Sequence, residues 1–298
     1  MRKLSNNFDK RYITWECTTV CNYSCSYCWE SCHDGKYRWP DTSQTDKLID
    51  YIYNFSEGKT VTLDIMGGEP TLWPDLERFC HSIKEFASVT FSSNGSRTAR
   101  WWEKFTAPIE SLVFSFHPEN ASIDHYLEML AVVHQRYRTT VLILYHPDYQ
   151  KFCTDAYTAF LESKLEINCE MKRIYHDAVK YDKYDQQNLF LQYKNSNIEL
   201  PATTAIDFYV DDILQDPNLL IKNKTNRFRG WHCNLGENYR YIKANGDIQG
   251  AACGIARIVG NVYDKGETIA MNPIQCSRDT CDCKVDMMLN SKYDIRIQ

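Results

Sequence analysis

No run in this chain approaches the ~20 consecutive apolar residues of a membrane span, which argues against a transmembrane protein. A secretory signal is also missing, because Met1 to Lys10 is polar and YITWECTTV after it has no long apolar core. A soluble, cytoplasmic protein is therefore expected, in a compartment where thiols stay reduced. There is no lysine-rich run, and the net charge is −5, so a surface built on phosphate contacts to nucleic acid is not expected. Internal repeats and low-complexity tracts are absent. With 298 residues and 43% apolar side chains, a large core can form without disulfide staples.

Cysteine, by contrast, is abundant and unevenly spread. Of 13 cysteines, five fall between Cys17 and Cys32 and five between Cys233 and Cys283. In a reducing compartment such clustering reads as two ligand sites. Cys80, Cys153 and Cys169 lie singly inside periodic segments and are expected to pack in the core.

Short β-rich runs alternate with helical segments, the pattern of repeated βα units around a parallel sheet. Strands are expected at 12–18, 61–66, 88–93, 111–116, 139–145 and 165–174. Helices are expected near 43–55, 74–87, 97–105, 121–138 and 154–163, with Ser43 and Asp75 as N-terminal caps or first-turn acids. Six strands with crossovers suggest an α/β fold, a partial (β/α)6 TIM-like barrel. Residues 175–200 read as an irregular, tyrosine-rich connection into a last helix at 202–214, followed by a loop, KNKTNRFRG. From Gly230 the character changes, and Asn245-Gly246 within an alternating stretch signals a hairpin. Two domains are expected: a core over 1–229 and a small C-terminal β-hairpin/helix unit over 230–298.

Within CTTVCNYSCSYCWESC, only Cys21, Cys25 and Cys28 give the spacing C-x3-C-x2-C. Thiolates favour zinc, copper(I) or iron–sulfur clusters. A structural zinc would need a fourth ligand from Cys17, Cys32 or His33, and simple core packing is the other alternative. Three thiolates on a four-iron cluster would instead leave one iron open to a small molecule.

CNYSCSYC resembles the signature of the radical S-adenosylmethionine (radical SAM) superfamily, including Asn22 and the aromatic Tyr27 before the third cysteine. The resemblance extends to Gly67-Gly68-Glu69-Pro70, similar to the family's GGEP motif, which follows a strand roughly 40 residues after the triad. It extends also to FSSNGS, similar to the strand-end TNG segment, with Ser92, Ser93 and Asn94 at the rim. The resemblance implies a [4Fe–4S] cluster on Cys21, Cys25 and Cys28 whose open iron takes SAM. GGEP is then expected at the SAM amino group, with Glu69 accepting from the ammonium and the glycines letting backbone approach the ligand. Tyr27, Asn94 and Ser92 are further cofactor-binding candidates. Ser115 could reach the ribose and His117 could face substrate, although a packed rim histidine is the plainer reading. Glu16, opposite Trp15 and Cys17 in the alternation, is expected to be a buried acid pointing inward.

Cys233, Cys253, Cys276, Cys281 and Cys283 resemble the twitch or SPASM-like C-terminal domains of the superfamily, which hold auxiliary four-iron clusters. The full seven-cysteine pattern is not met, so one auxiliary [4Fe–4S] cluster is implied, on Cys233, Cys253 and two of the remaining three. A zinc ribbon would use the same thiolates. The family chemistry implies reductive cleavage of SAM, a 5′-deoxyadenosyl radical and hydrogen abstraction, with a flavodoxin- or ferredoxin-type donor. The strand pattern begins by Tyr12, leaving no room for a leader-binding domain, which favours a small polar substrate over a peptide. Tyr, Trp or Arg from 175–232 would line part of its wall. A non-catalytic zinc or iron–sulfur protein is the reading from another class.

Overall fold

The computed structural model describes residues 3–6, 9–174, 192–193 and 208–294. Strands β1 (Lys3–Asn6) and β2 (Arg11–Glu16) come first. Helices and strands then alternate as α1 (Thr42–Ser56), β3 (Val61–Met66), α2 (Leu76–Ile83), β4 (Ala87–Ser93), α3 (Ala99–Lys104) and β5 (Ser111–Phe116). The alternation continues through α4 (Ile123–Val133), β6 (Arg138–Tyr145), α5 (Gln150–Glu162) and β7 (Ile167–Arg173). After β8 (Gln192–Tyr193) come β9 (Phe208–Val210), β10 (Ile213–Gln215), α6 (Pro217–Lys222), β11 (His232–Cys233), β12 (Tyr239–Ile242) and β13 (Asp247–Gln249). The chain closes with β14 (Gly260–Asn261), β15 (Gly266–Glu267), β16 (Ile274–Gln275), α7 (Lys284–Leu289) and β17 (Lys292–Tyr293).

The chain divides into two compact units, one of Met1–Trp15, Asp41–Leu63 and Ala202–Gln298, the other of Glu16–Pro40 and Asp64–Pro201. In the second unit β4, β5, β6 and β7 pair in parallel in chain order, and β8 runs antiparallel to β7. Parallel neighbours require crossovers, which α3, α4 and α5 supply. Alternation places Leu112, Phe114 and Phe116 of β5 and Val141, Ile143 and Tyr145 of β6 in the core, all fully buried. Trp102 of α3 packs edge-on against Phe114 at 5.3 Å, fixing that helix to the sheet. Cys80, Cys153 and Cys169 are buried, as their isolated positions predict.

In the first unit β2 pairs in parallel with β12, Tyr12 opposite Tyr239 and Trp15 opposite Ile242. The expected hairpin forms between β12 and β13, with Gly246 at φ +89°. A smaller sheet runs β10-β9-β1-β17-β11-β16.

Three local readings need correction. The described part of the helix expected at 202–214 is the hairpin β9–β10, turned by Asp211 and Asp212 at φ 51° and 65°; positions 202–207 lie outside the described residues. Two successive left-handed residues make a turn that a helix cannot contain. Helix α1 is capped by Asp41 rather than Ser43: the Asp41 carboxylate accepts from Gln44 N–H at 2.8 Å, and Asp41 N–H donates to Gln44 Oε1 at 3.0 Å. Asp75 stands at the cap position of α2 but makes no side-chain cap bond. Substituting Asp41→Ala is expected to cost about 1 kcal/mol, read as a lower urea midpoint; an unchanged midpoint would show that the box adds nothing to α1.

Candidate functional site

The loop after β2 is bound to the end of β3 by backbone hydrogen bonds. Cys17 N–H donates to Met66 O at 2.8 Å, Gly68 N–H to Thr18 O at 2.7 Å and Glu69 N–H to Val20 O at 2.8 Å. The two glycines make this approach possible. A Cβ on Gly67 would lie 2.4 Å from Thr18 O, and one on Gly68 would lie 2.2 Å from Val20 O. Gly67 also sits at φ +139°. The close approach that the glycine pair permits is thus to the backbone of the cysteine loop.

Glu69 is completely buried. Its Oε1 accepts from Thr71 N–H at 3.0 Å, Thr71 Oγ1 at 2.5 Å and Ser93 Oγ at 2.9 Å, while Oε2 accepts from Asn94 N–H at 2.6 Å. Burial pushes its carboxyl above the ordinary value against the pull of these donors. The carboxylate therefore ties the end of β3 to the end of β4, and Pro70 beside it is buried in a short helical turn.

Asn94 reaches across to the loop, its Nδ2 donating to Asn22 Oδ1 at 2.9 Å and lying 3.7 Å from Cys21 Sγ. Its own turn is held by Tyr126, whose hydroxyl donates to Asn94 O and Ser115 O, both at 2.8 Å. Ser92 and Ser115 are half-buried, and of the two side-chain hydroxyls in FSS it is Ser93 that joins the Glu69 network.

The segment after β5 closes on the same loop. His117 Nδ1 lies 3.0 Å from Tyr27 Oη and 3.4 Å from Cys25 Sγ, and its ring stacks on Tyr27 at 5.9 Å. Burial lowers this imidazole to about 4, so it is neutral at pH 7. Asn120 Nδ2 donates to Cys25 Sγ at 3.3 Å. Glu119 accepts from Ser26 N–H at 2.7 Å and Ser26 Oγ at 2.5 Å, pinning the residue between Cys25 and Tyr27. His146, after β6, packs against Tyr27 at 5.4 Å.

The three triad thiols consequently have different surroundings. Cys21 Sγ receives Tyr23 N–H at 3.4 Å, and Cys25 is buried and pushed up to about 11 by desolvation. Cys28 shares a hydrogen bond with Cys32 that holds Cys28 above and Cys32 below the ordinary thiol value. Cys17 is fully buried at the loop entry, His33 Nδ1 faces Trp29 O at 3.1 Å, and Glu16 is half-buried rather than buried. The sequence reading missed Glu119, Asn120 and His146. The signal for the first two was adjacent, since they directly follow the flagged His117-Pro118.

In the other unit, Cys233, Cys253, Cys276, Cys281 and Cys283 all line one cavity of about 160 Å³. That is room for several waters, hence for a group of more than one atom. Among the described residues no three Cys, His, Asp or Glu side chains close on a single metal ion. Burial raises Cys233 to about 11 and Cys281 to about 12, and it raises Cys283 as well. Asn226 anchors the last loop, accepting from Cys281 N–H at 2.9 Å and donating to Cys281 O at 3.1 Å.

Residues 15–151, just under half of the chain, match the family model described as the Radical SAM superfamily. This segment belongs to the radical SAM superfamily. An S-adenosylmethionine-dependent nucleotide dehydratase from Thermoplasmatales archaeon (strain ISO4-H5) is 30% identical over 83 residues, 28% of this chain and 28% of that protein. The mycofactocin maturase MftC of Mycobacterium ulcerans (strain Agy99) is 36% identical over 86 residues, 28% of this chain and 22% of that one. The chain thus matches about a quarter of the length of these curated relatives. Among solved structures, Streptococcus suis SuiB, determined with S-adenosylmethionine and with the precursor peptide SuiA, shares the fold; its S-adenosylmethionine complex gives a TM-score of 0.55 at 15% identity, covering 86% of this chain and 64% of that one.

The radical SAM segment thus contains every close contact described above between the triad loop and the ends of β3, β4, β5 and β6. The thiols fit a cluster chemically: they are soft donors, and N–H groups aimed at Cys21 and Cys25 favour the thiolate form that ligates metal. Substituting Gly68→Ala is expected to push the Val20–Cys21 backbone out of register, at roughly 1–3 kcal/mol. A thermal midpoint equal to wild type in the metal-free protein would disprove the close approach.

Proposed function

We propose that this radical SAM enzyme holds a [4Fe–4S] cluster on Cys21, Cys25 and Cys28, binds SAM at its open iron, and abstracts hydrogen from a small polar substrate. The observation that supports the reading is the convergence of four strand ends on the loop that carries the triad, with N–H donors aimed at Cys21 and Cys25. When bound, the cluster and SAM supply the one-electron cleavage that yields methionine and the 5′-deoxyadenosyl radical.

The chain's own part is positional. Glu69 locks β3 to β4, so that Asn94 meets Cys21; Glu119 and Asn120 fix Ser26 and Cys25. With its carboxylate engaged by internal donors, the GGEP segment would offer SAM chiefly the half-exposed Gly67 and Gly68 backbone, while Tyr27 and the neutral His117 form an aromatic wall. Such a wall excludes water and adds no charge beside the radical chemistry. Ser92 and Ser115 remain proposed contacts to the adenosyl group. The partial barrel, the C-terminal cluster domain over 230–298 and a flavodoxin- or ferredoxin-type donor belong to the same proposal.

An auxiliary [4Fe–4S] cluster is assigned to the cavity lined by the five C-terminal thiols. The cavity's size suits a multi-atom group, and the buried thiols would ligate only after losing protons. The likeness to a nucleotide dehydratase supports a small polar substrate of nucleotide type. The maturase MftC and the SuiB structure with its precursor peptide favour a second reading, a peptide substrate. Of the segment expected to supply the substrate wall, 175–232, the structure describes residues 192–193 and 208–232.

Anaerobically prepared protein should contain about eight irons and eight sulfides per chain. Cys25→Ala should abolish reductive cleavage of SAM while circular dichroism stays unchanged; cleavage at the wild-type rate would refute the triad assignment. Release of 5′-deoxyadenosine on adding nucleotides supports the first substrate reading, and release only with a peptide sinks it.

A further inference from the structure

The cavity of five thiols also holds a buried cation. Lys292, on β17, is 2% exposed and lines the cavity. Its Nζ donates to Asn290 O at 2.8 Å and to Asp286 O at 3.0 Å, both main-chain carbonyls, and lies over the Phe228 ring at 5.8 Å. An ammonium has three donors. Two of them hold it in place, and neutral carbonyls do not cancel its charge.

Removing an ammonium from water is strongly unfavourable unless an opposite charge compensates. Asp286, also 2% exposed, lines the same cavity, and its Oδ1 accepts from Ala252 N–H at 3.0 Å. Arg278 lines the cavity as well but is solvent-exposed, so water screens its charge. Two opposite buried charges therefore face a chamber walled by thiols. A four-iron cluster carried by four thiolates has net negative charge, and it gains another on reduction. A fixed cation beside it stabilises the reduced form more than the oxidised one.

We propose that Lys292 is a positioning residue for charge at the auxiliary centre: a fixed buried cation that raises the centre's reduction potential, opposed by Asp286, and so equips it to accept an electron. This rests on the auxiliary-cluster reading. The step balances: the substrate radical left by hydrogen abstraction gives one electron to the cluster and one proton to water, closing a new π bond in the oxidised product, while no bond at the cluster forms or breaks.

The test uses the full chain carrying Cys21→Ala, Cys25→Ala and Cys28→Ala, so that any remaining cluster is the auxiliary one. About four irons are expected to remain, with the midpoint potential read by EPR-monitored titration. Adding Lys292→Met should shift the potential more negative, and adding Asp286→Asn should shift it more positive, with iron content unchanged. A structural role alone would not give shifts of opposite sign. Should Lys292→Met fail to fold, Asp286→Asn decides on its own, since Asn can keep the Oδ1 bond to Ala252. A cluster whose potential neither variant moves, or which both move the same way, overturns the inference and leaves the cluster reading standing. No iron in the triad variant overturns the auxiliary cluster itself, and Lys292 with it.

Discussion

The candidate active site depends on one close approach, that of Met66 to Glu69 against Cys17 to Val20. Three backbone hydrogen bonds of 2.7–2.8 Å form there, and a single added Cβ at either glycine would fall inside the opposing backbone. The cysteine loop is therefore placed by main chain rather than by its own packing. From that anchor the remaining contacts follow in chain order. Glu69 carries the register from β3 to β4, Asn94 carries it back to Cys21, and the residues after β5 grip Cys25 and Tyr27.

This arrangement gives the three thiols unequal environments. Backbone and carboxamide donors meet Cys21 and Cys25, whereas Cys28 shares its hydrogen bond with another thiol, Cys32. Hydrogen bonds to sulfur are among the means by which a protein sets the potential of an iron–sulfur centre. At the auxiliary centre proposed for the C-terminal cavity the means would differ. There the buried charges of Lys292 and Asp286 stand beside the thiols. One chain would thus tune one centre by dipoles and the other by fixed charge.

The sequence was most legible where a local rule governs. Period-2 alternation located β5 and β6 to within one residue, because burial of alternate side chains needs no partner to be named. Asn245-Gly246 marked its hairpin for a similar reason. The failures were also local, but there a competing rule won. At 202–214 a helix was expected, while Asp211-Asp212 turned the chain left-handed; at α1, Asp41 and Gln44 formed the box two residues before the expected cap.

By itself, the sequence determined the ligand chemistry: soft thiols in two groups, a spacing that sets Cys21, Cys25 and Cys28 apart, and a glycine pair after a strand. Ligand type is a property of side-chain atoms, so it survives without coordinates. Tertiary structure alone decided the partners. It turned the Glu69 carboxylate inward, brought Asn120 and His117 to Cys25 across more than 90 positions, and buried Lys292 among thiols from four other segments. Such contacts are set by where parallel strands end in space, and strand order leaves no periodic mark on the chain.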